Sequence, residues 1–372
     1  MNNQYPIRVL QIVGMVCGGG VEAVIMNYYR NINRDKVQFD FVIDGNEKSL
    51  LDDEIKRLGG RVYHVTPYKE NIIKYMCDIY RIMKNYSYEI VHDNMNTMAV
   101  FSLFPAWLVG AKIRILHNHS TNEKASDERF KYYLKKVLRP FSPLFANRYV
   151  ACSQYAAEWM YGKSLIGLNK VKIINNAVDI DKFAFSKAAR KRLREELGIR
   201  EEINVIGHIG RLVPQKNHIF LLEVFAAYLR KKPDSVMVLI GDGPLREKLE
   251  NKAKELGIAN KVCFKGLRSD VNDWYSAMDI FLLPSLYEGL PVVGVEAQAN
   301  GVPVCLSSNI TKEVVINKNV SYLPLVKDAW IDSIDELMRK RSEQSLLKKE
   351  GFSIKYEAEK MGYWYEEMLK EV

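Results

Sequence analysis

Short apolar runs rich in Val and Ile alternate with amphipathic stretches along most of the chain. Each pair predicts a buried strand followed by a helix, and the repetition is typical of parallel sheets covered by helices. Seven strands are predicted in the first half, at residues 7–13, 37–44, 61–65, 88–92, 112–117, 147–153 and 171–175. Six more are predicted in the second half, at residues 203–209, 236–241, 261–265, 279–284, 302–307 and 320–325. We therefore expect an α/β fold with two Rossmann-like, doubly wound parallel sheets.

The stretch between the two predicted sheets differs in character. Residues 176–202 are polar and charged, with a basic helix predicted at 188–197, and we interpret them as the link between two domains. Ligands bind at the carboxyl ends of the strands in such sheets, so two consecutive domains are expected to leave a cleft there. The last segment, 352–372, is predicted to be a helix with four aromatic residues on its apolar side: Tyr356, Tyr363, Trp364 and Tyr365.

Composition limits the classes of function. The 372 residues are 48% apolar and 27% charged, which excludes a disordered chain and suits two large domains. Lys and Arg number 54 against 45 Asp and Glu, and the resulting net charge of +9 favours anionic partners. The cations are interspersed along the chain and no nucleic-acid-binding module is recognisable, so we expect no nucleic-acid partner.

The cysteines and apolar runs bear on the compartment. The five cysteines, at positions 17, 77, 152, 263 and 305, stand far apart and form no disulfide framework. The N-terminus leads directly into a predicted strand without the features of a secretory signal. The longest apolar stretch, 97–111, is too short to span a membrane. We therefore expect a protein of the reducing cytoplasm.

A pair of glutamates gives the strongest functional signal. Glu288 follows a predicted strand, Glu296 comes eight positions later, and Pro291 between them suits the first turn of a helix. The free N–H groups of Gly289, Leu290 and Val292 would then face an anion such as a diphosphate. Glu296 would lie roughly 8 Å beyond Pro291 along the helix axis. Glu288 could accept hydrogen bonds from sugar hydroxyls and Glu296 from ribose hydroxyls. The alternative is a helix-capping Glu288 and a solvated Glu296.

The sequence around this pair resembles a known family signature. Residues 285–291 and 297–304 read SLYEGLP and AQANGVPV, and they resemble the donor site of the retaining glycosyltransferases of family 4, which have the GT-B fold. The resemblance implies two facing Rossmann-like domains, at 1–180 and 181–350, and a C-terminal helix, 351–372, that crosses back to the first domain. It also implies a donor-binding set that comprises Gly289, Leu290, Pro291 and Glu296, with Glu288 as a catalytic residue.

Two further segments match the family in order and spacing. Arg211 and Lys216 follow the predicted strand 203–209, and the matching family cations stabilise the leaving diphosphate. Cations placed in advance would stabilise that growing negative charge more than they stabilise the ground state. The alternative is a pair of ordinary surface cations. Gly19 and Gly20 open the first predicted helix and match the family's N-terminal glycine loop near the phosphates.

Other matches concern a histidine and the nucleobase. His119 ends the fifth predicted strand and best matches a functional histidine of the family, whereas His117 is expected to point to the opposite face of the sheet. In the second half, Gly266 and Arg268 match the segment whose backbone meets the nucleobase in relatives. The two histidines make a poor metal site because no third ligand lies nearby in the sequence.

We expect no metal cofactor. Asp179 and Asp181 form an Asp-x-Asp pair, which in the other large glycosyltransferase fold binds a metal. Here the pair stands at the boundary between the two halves, and we interpret it as turn chemistry. The nucleotide sugar is a substrate, so the resemblance implies no cofactor.

A basic segment suggests a membrane face. The segment 124–148 is basic, with aromatic and aliphatic side chains between its cations Lys124, Arg129, Lys131, Lys135, Lys136 and Arg139. A helix there could lie on an anionic membrane and receive a lipid-linked acceptor. The alternative of equal weight is an amphipathic helix with a solvated basic face.

The resemblance implies a function. It predicts the retaining transfer of a hexose or N-acetylhexosamine from a UDP sugar to a saccharide acceptor, in the form of a lipid-linked glycan of a bacterial capsule or exopolysaccharide. The protein would then act in the cytoplasm, at the periphery of the inner face of the membrane. Two alternatives stay open, a GT-B-like nucleotide-sugar epimerase and a non-enzymatic basic protein that binds membrane surfaces.

Overall fold

A computed structural model of the protein describes residues 6–16, 19–121, 129–168, 170–342 and 345–372. The chain forms two compact units. Met1–Ala177 together with Ile354–Val372 make the N-terminal unit, and Val178–Ser353 make the C-terminal unit. Each unit has its own parallel sheet and its own covering helices.

The N-terminal unit is built on a seven-stranded sheet with the order β3-β2-β1-β4-β5-β6-β7. Its strands are β1 (Ile7–Val13), β2 (Val37–Asp44), β3 (Val62–Val65), β4 (Ile90–Asp93), β5 (Ile113–Asn118), β6 (Arg148–Ala151) and β7 (Val171–Ile173). Its helices are α1 (Gly20–Asn31), α2 (Asp52–Arg57), α3 (Ile72–Tyr86), α4 (Val100–Leu108), α5 (Arg129–Leu138), α6 (Gln154–Gly167) and the last helix of the chain, Ile354–Lys370.

The C-terminal unit is built on a six-stranded sheet with the order β10-β9-β8-β11-β12-β13. Its strands are β8 (Asn204–Ile209), β9 (Ser235–Ile240), β10 (Val262–Gly266), β11 (Ile280–Leu283), β12 (Val304–Ser307) and β13 (Val320–Leu323). Its helices are α7 (Lys187–Glu196), α8 (His218–Lys231), α9 (Arg246–Glu255), α10 (Val271–Ala277), α11 (Val292–Asn300), α12 (Lys327–Leu337) and α13 (Ser345–Lys349). The last helix of the chain is therefore α14.

The predicted α/β fold class is confirmed. All thirteen predicted strands are present, and no end differs from the prediction by more than two residues. Every residue of β2, β9, β11 and β12 is buried, as their continuous apolarity predicts for strands covered on both faces. In both sheets the order reverses beside the first strand, so β1 and β4 are neighbours in one, and β8 and β11 in the other. Such switch points are where doubly wound sheets bind ligands.

The stretch 176–202 is more than a link. Most of it belongs to the C-terminal unit, and α7 packs against α10 there. Arg190 and Arg194 on α7 form ion pairs with the buried Asp279 at 2.8 and 3.2 Å. A guanidinium can be buried in this way when a carboxylate and carbonyl oxygens accept its hydrogen bonds.

The prediction for the aromatic face of α14 is wrong in part. Tyr365 is fully buried, but Tyr356 and Tyr363 are 61% and 50% exposed. The buried face instead follows the helical period through Ile354, Ala358, Met361, Tyr365 and Met368. This face packs in the N-terminal unit, where α14 contacts α1.

The basic segment 124–148 is not one helix. Its helical part is α5, and turns follow until β6 begins at Arg148. Residues 122–128, with Lys124, lie outside the described residues. Within the described part of the chain, no helix combines the length and the apolarity needed to cross a membrane.

Candidate functional site

Two loops meet at the switch point of the C-terminal unit. The loop after β8 carries Arg211 and Lys216, and the loop after β11 carries Glu288. Their backbones are joined because Leu286 N–H donates to the Gln215 carbonyl at 2.8 Å. The Gln215 side chain also donates to the Tyr287 carbonyl at 2.9 Å.

An ion pair lies between these loops. Lys216 Nζ donates to Glu288 Oε1 at 2.7 Å, and the two side chains are only 14% and 12% exposed. The partly buried pair holds a cation and a carboxylate at the carboxyl ends of the two central strands. Arg211 is exposed and forms no ion pair with any residue the structure describes. The structure thus brings Lys216 and Glu288 together and leaves the Arg211 side chain at the surface.

Two glycines allow the backbone and the aliphatic part of the Lys216 side chain to pack closely. A Cβ on Gly210 would stand 3.3 Å from Cε of Lys216 and 3.1 Å from Nε2 of His208. Gly241, after β9, has a φ of +126°, and a Cβ there would overlap the Gly210 carbonyl. The predicted glycine turn after β9 therefore supports the loop that carries Lys216. Asn217 occupies the N-cap position of α8 in the left-handed conformation, but its side chain makes no capping bond.

Helix α11 starts beside the ion pair. Pro291 is its N-cap, just before the first turn in which it was predicted, and the Pro291 side chain makes no capping hydrogen bond. Glu288, Gly289 and Leu290 in the preceding loop are buried. A helix N-terminus without a capping side chain attracts anions through its N–H groups and dipole. The loop and α11 therefore combine a positive backbone end with the Lys216 ammonium group.

Glu296 lies inside α11 and is buried. Its Oε2 accepts a hydrogen bond from the Tyr275 hydroxyl at 2.8 Å. Burial raises the pKa of Glu296 to about 7, although the Tyr275 hydrogen bond and nearby lysines oppose this rise. The alternative considered from the sequence, in which Glu296 is solvated, is therefore wrong. A carboxylate held this way has a second oxygen with which it could accept hydrogen bonds from a ligand.

The residues predicted to contact the base lie at the end of β10. Gly266 has a φ of +65° and ends the strand at a register shift. The Arg268 guanidinium is paired with Asp270 at 2.8 Å and with Glu196 at 3.4 Å. It also lies 5.4 Å from the centroid of the Trp274 ring. The Arg268 side chain is thus held by acidic partners and an aromatic ring.

Sequence reasoning missed a pair of buried histidines beside the loop that carries Arg211 and Lys216. His208 Nδ1 donates to the Leu282 carbonyl at 2.7 Å, and the His218 ring lies 4.6 Å away, edge to face. Burial lowers the pKa of His208 to about 3 and that of His218 to about 2. Both are therefore neutral at pH 7. The one sequence feature that could have pointed to this pair is the position of the two histidines on either side of Arg211 and Lys216.

In the N-terminal unit, the predicted glycine loop leads into α1. Gly19 is the N-cap and Gly20 the first helical residue. A Cβ on Gly19 would meet the Glu22 carboxylate at 2.5 Å. Cys17 and Gly18 lie outside the described residues. The two described glycines thus stand at the start of a helix at the β1/β4 switch point.

His119 follows β5 and is buried. Its Nε2 lies 2.9 Å from Asn94 Oδ1, and its backbone N–H donates to Asn96 Oδ1 at 2.7 Å. The prediction that His117 points to the opposite face is wrong, because the two rings have their centroids 3.8 Å apart. Strand side chains alternate with a period of two, so residues 117 and 119 share a face.

Possible metal ligands do not cluster in the described ranges. No group of three or more His, Cys, Asp or Glu side chains there has an arrangement that could hold a metal ion. Asp179 Oδ1 accepts a hydrogen bond from Lys182 N at 3.1 Å, which fits the predicted turn chemistry of this segment.

Comparisons with known proteins identify the family. The family model described as glycosyl transferases group 1 matches residues 189–353, and the model described as glycosyltransferase family 4 matches residues 18–182. HepE of Anabaena, solved with UDP and glucose, has a similar fold, with a TM-score of 0.79 at 19% identity. That alignment covers 98% of this chain and all of the HepE chain.

Two curated relatives are similar over most of their length. EpsF of Bacillus subtilis, whose name places it among the glycosyltransferases, is 34% identical over 313 residues, or 82% of this chain and 80% of EpsF. A UDP-Gal:α-D-GlcNAc-diphosphoundecaprenol α-1,3-galactosyltransferase of Escherichia coli is 26% identical over 84% of this chain and 82% of its own length. The chain therefore belongs to the family 4 glycosyltransferases, group 1, with the GT-B fold.

Proposed function

We propose that this glycosyltransferase moves a hexose or N-acetylhexosamine from a UDP sugar to a saccharide acceptor with retention of the anomeric configuration. The acceptor is a lipid-diphosphate-linked glycan of a bacterial surface polysaccharide. The observation that carries the proposal is the Lys216–Glu288 pair beside the N-terminus of α11. There the Lys216 ammonium group and the N-terminus of α11 lie close to the Glu288 carboxylate, which could accept hydrogen bonds from sugar hydroxyls.

The chemistry of this site and the names of relatives support the choice of donor. A nucleoside diphosphate leaves with growing negative charge, which Lys216, Arg211 and the start of α11 would stabilise. The names of two similar proteins mention UDP or a UDP sugar. Glu296 would accept hydrogen bonds from the ribose hydroxyls, and the segment with Gly266 would meet the base. No metal ion is needed in this scheme, because protein cations and backbone dipoles neutralise the leaving group.

The proposed mechanism uses no covalent intermediate. Glu288 orients the sugar, and the acceptor hydroxyl attacks the anomeric carbon on the face from which UDP departs. The bond from the anomeric carbon to the diphosphate oxygen breaks as the bond to the acceptor oxygen forms. The acceptor proton passes to the departing phosphate oxygen. Attack from that face retains the configuration.

The acceptor proposal rests on a surface of the N-terminal unit. Val137, Phe141 and Leu144 are 61%, 52% and 64% exposed, and the exposed Lys136 lies next to them in the sequence. Trp107 at the end of α4 is 50% exposed and contacts the Phe145 ring. Exposed apolar side chains flanked by cations suit the interface of an anionic membrane. A protein placed there would reach acceptors that are anchored by a lipid.

The test is a screen of nucleotide sugars, followed by trials of acceptors with the best donor. We expect release of UDP only when an acceptor is present, and an α-linked product from an α-linked donor. An inverted product would contradict the retaining mechanism. Free UDP or an epimerised sugar without any acceptor would instead identify a nucleotide-sugar epimerase. A lack of thermal stabilisation by UDP would favour the non-enzymatic alternative, because a ligand of the folded state raises its stability.

Membrane contact has a separate test. Vesicles that contain anionic phospholipid should cosediment the protein, and the double substitution of Val137 and Phe141 by Ser should reduce the bound fraction severalfold. Ile73 on α3 is 71% exposed and serves as the matched control. Equal binding of the Val137/Phe141 variant and an Ile73→Ser variant would remove this surface from the proposal.

A further inference from the structure

A buried tyrosine contacts the glutamate of α11. The Tyr275 hydroxyl donates to Glu296 Oε2 at 2.8 Å. Tyr275 lies on α10 and is completely buried, and Glu296 is 9% exposed. A hydrogen bond to a charged group is stronger than one between neutral groups, and a low local dielectric strengthens it further. The Tyr275 hydroxyl therefore holds one of the two carboxylate oxygens in place.

The other carboxylate oxygen has no such partner. Glu296 Oε1 accepts no hydrogen bond from any residue that the structure describes, yet it is not one of the fully enclosed polar atoms. An ionised carboxylate only accepts hydrogen bonds, so Oε1 is open to a ligand that donates one. Because Oε2 is held, the carboxylate does not rotate freely, and Oε1 keeps one direction.

Two ring contacts hold the Tyr275 side chain. Its ring packs edge to face with the rings of Phe183 and Phe281, whose centroids lie 5.8 and 5.5 Å away. Both phenylalanines are buried. A side chain enclosed by well-packed neighbours stays in one rotamer. The place of the Tyr275 hydroxyl is therefore set by the backbone of α10.

A polar clamp joins the ends of α10 and α11, the helices that carry the two residues. The Arg341 guanidinium donates to the carbonyls of Tyr275 and Ser276, each at 3.2 Å. It also donates to Oδ1 of Asn300, the last residue of α11. Asn300 Nδ2 in turn donates to Ser276 Oγ at 3.1 Å. The clamp fixes the spacing of the two helices, and with it the contact between Tyr275 and Glu296.

A second acceptor lets the Tyr275 hydroxyl serve both charge states of Glu296. The Val293 carbonyl oxygen lies 3.2 Å from the hydroxyl oxygen. When Glu296 is ionised, the Tyr275 hydrogen points to Oε2. When Glu296 is protonated on Oε2, the acid donates to the Tyr275 oxygen, and the Tyr275 hydrogen turns to Val293. The ionised form has the stronger bond, so Tyr275 lowers the pKa of Glu296, as do the positive charges of Lys182 and Lys216.

We propose that Tyr275 is a positioning residue through which the site selects ribonucleotides. Its hydroxyl holds Glu296 Oε2, so that Oε1 accepts a hydrogen bond from a ribose hydroxyl of the donor. A nucleotide without ribose hydroxyls leaves Oε1 unpaired, and a site built to bind a hydroxyl rejects an analogue that lacks it. The contact of Glu296 with ribose rests on the proposed function, whereas the contact of Tyr275 with Glu296 is independent of it.

Calorimetric titrations with UDP and with 2′,3′-dideoxy-UDP at pH 8 test the selection. We expect the wild type to bind UDP at least about tenfold more tightly, as for one hydrogen bond to a charged group. Tyr275→Phe should weaken the binding of UDP severalfold and leave that of the dideoxy nucleotide unchanged, because its effect passes through Glu296 and ribose. Equal weakening for both nucleotides, or for neither, would overturn the inference. Tyr228→Phe removes another buried tyrosine hydroxyl that interacts with a carboxylate, that of Asp335, and is the matched control.

The titration of Glu296 in the ligand-free protein tests the positioning role separately. Carbon NMR of protein labelled with ¹³C at glutamate Cδ follows the ionisation, and loss of the signal in Glu296→Gln assigns it. The midpoint, expected near the pKa of about 7, should rise by about one pH unit in Tyr275→Phe, because the ionised form loses its stronger bond. A merely structural role of Tyr275 would leave the midpoint unchanged, and that result would contradict the proposal.

Three further outcomes separate this inference from the proposed function. A wild-type protein that binds UDP and 2′,3′-dideoxy-UDP equally would overturn the inference and leave the transfer reaction standing. A protein that prefers UDP and responds to Tyr275→Phe as expected, but transfers no sugar to any acceptor, would contradict the proposed function and keep the inference. A wild-type protein that binds neither nucleotide would contradict both.

Discussion

Lys216 Nζ lies 2.7 Å from Glu288 Oε1, although the two residues are 72 positions apart in the chain. The contact joins the loops that follow the two central strands of the C-terminal sheet. Both side chains are mostly buried, so solvent screens their attraction less than that of a surface pair. The pair fixes the position of the Lys216 ammonium group, and the proposed stabilisation of a leaving diphosphate would require such preorganisation.

The first prediction concerns this pair. Lys216→Met should lower kcat by about 10²–10³-fold, as expected for the loss of one preorganised charge that faces the leaving group. Glu288→Gln should also lower kcat, and the double variant should lose less than the product of the two single effects, because the residues act together. Steady-state rates of UDP release measure this. Lys231→Met removes an exposed lysine of α8 and is the matched control.

Two results would contradict this prediction. Full activity of Glu288→Gln would remove Glu288 from sugar orientation. Strictly multiplicative effects of the two substitutions would indicate that the observed ion pair has no role in the reaction.

A second prediction follows from the burial of Glu296. Its pKa is raised to about 7 from an ordinary value of 4.5, so the folded protein favours the protonated acid. The carboxylate that should accept hydrogen bonds from ribose forms only as the pH rises through 7. Affinity for an intact UDP sugar should therefore increase severalfold between pH 6 and pH 8. The diphosphate of such a donor does not titrate in this range, and Glu296→Gln should show a flat profile.

The same shift predicts the sign of a stability change. A raised carboxyl pKa means that unfolding releases a proton between pH 4.5 and about 7, so the free energy of unfolding falls across this range. Glu296→Gln should thus be more stable than wild type by about 1–3 kcal/mol at pH 8 and similar to it at pH 4. Urea unfolding at the two pH values measures the difference. Greater stability of the wild type at pH 8 would be the contrary result.

The sequence predicted the sheets well because a strand that is buried on both faces consists mostly of apolar residues such as Val, Ile, Leu and Phe. It also predicted which loops carry Lys216, Glu288 and His119. It did not predict the contact of Lys216 with Glu288, because that distance depends on how two loops from separate parts of the chain pack.

Other misses have a common cause. Arg194 on α7 and the His208–His218 pair are polar residues in the interior, where a pattern of apolar and polar positions predicts solvent. Only the three-dimensional arrangement supplies the partners, such as Asp279 for Arg194 and the Leu282 carbonyl for His208. Hydrogen-bond partners of this kind make burial of polar groups tolerable.

A fourth prediction concerns Asp279, which ties α7 to the C-terminal sheet. Asp279 is buried, accepts from Val205 N at 2.8 Å and pairs with Arg190 and Arg194. Asp279→Ala would remove the buried carboxylate that both guanidinium groups contact and would leave Val205 N without its acceptor, so it should cost about 3–5 kcal/mol of unfolding free energy. Glu201 pairs with the same two arginines but is 62% exposed. Glu201→Ala should therefore cost at most about 1 kcal/mol. Equal losses in urea unfolding would show that burial does not set the strength of these pairs.

The last prediction compares two glycines with positive φ. Gly241 (φ +126°) packs against the Gly210 carbonyl, whereas a Cβ on Gly257 (φ +70°) would meet nothing within 4 Å. Gly257→Ala should cost about 1–2 kcal/mol, the strain of the backbone conformation alone. Gly241→Ala adds a clash with backbone and should cost at least about 3 kcal/mol. It should also weaken UDP binding, because relief of the clash moves Gly210 and the loop that carries Lys216. Urea unfolding and UDP-dependent thermal shifts measure both effects. Normal UDP affinity in a folded Gly241→Ala variant would show that this turn does not support the loop that carries Lys216.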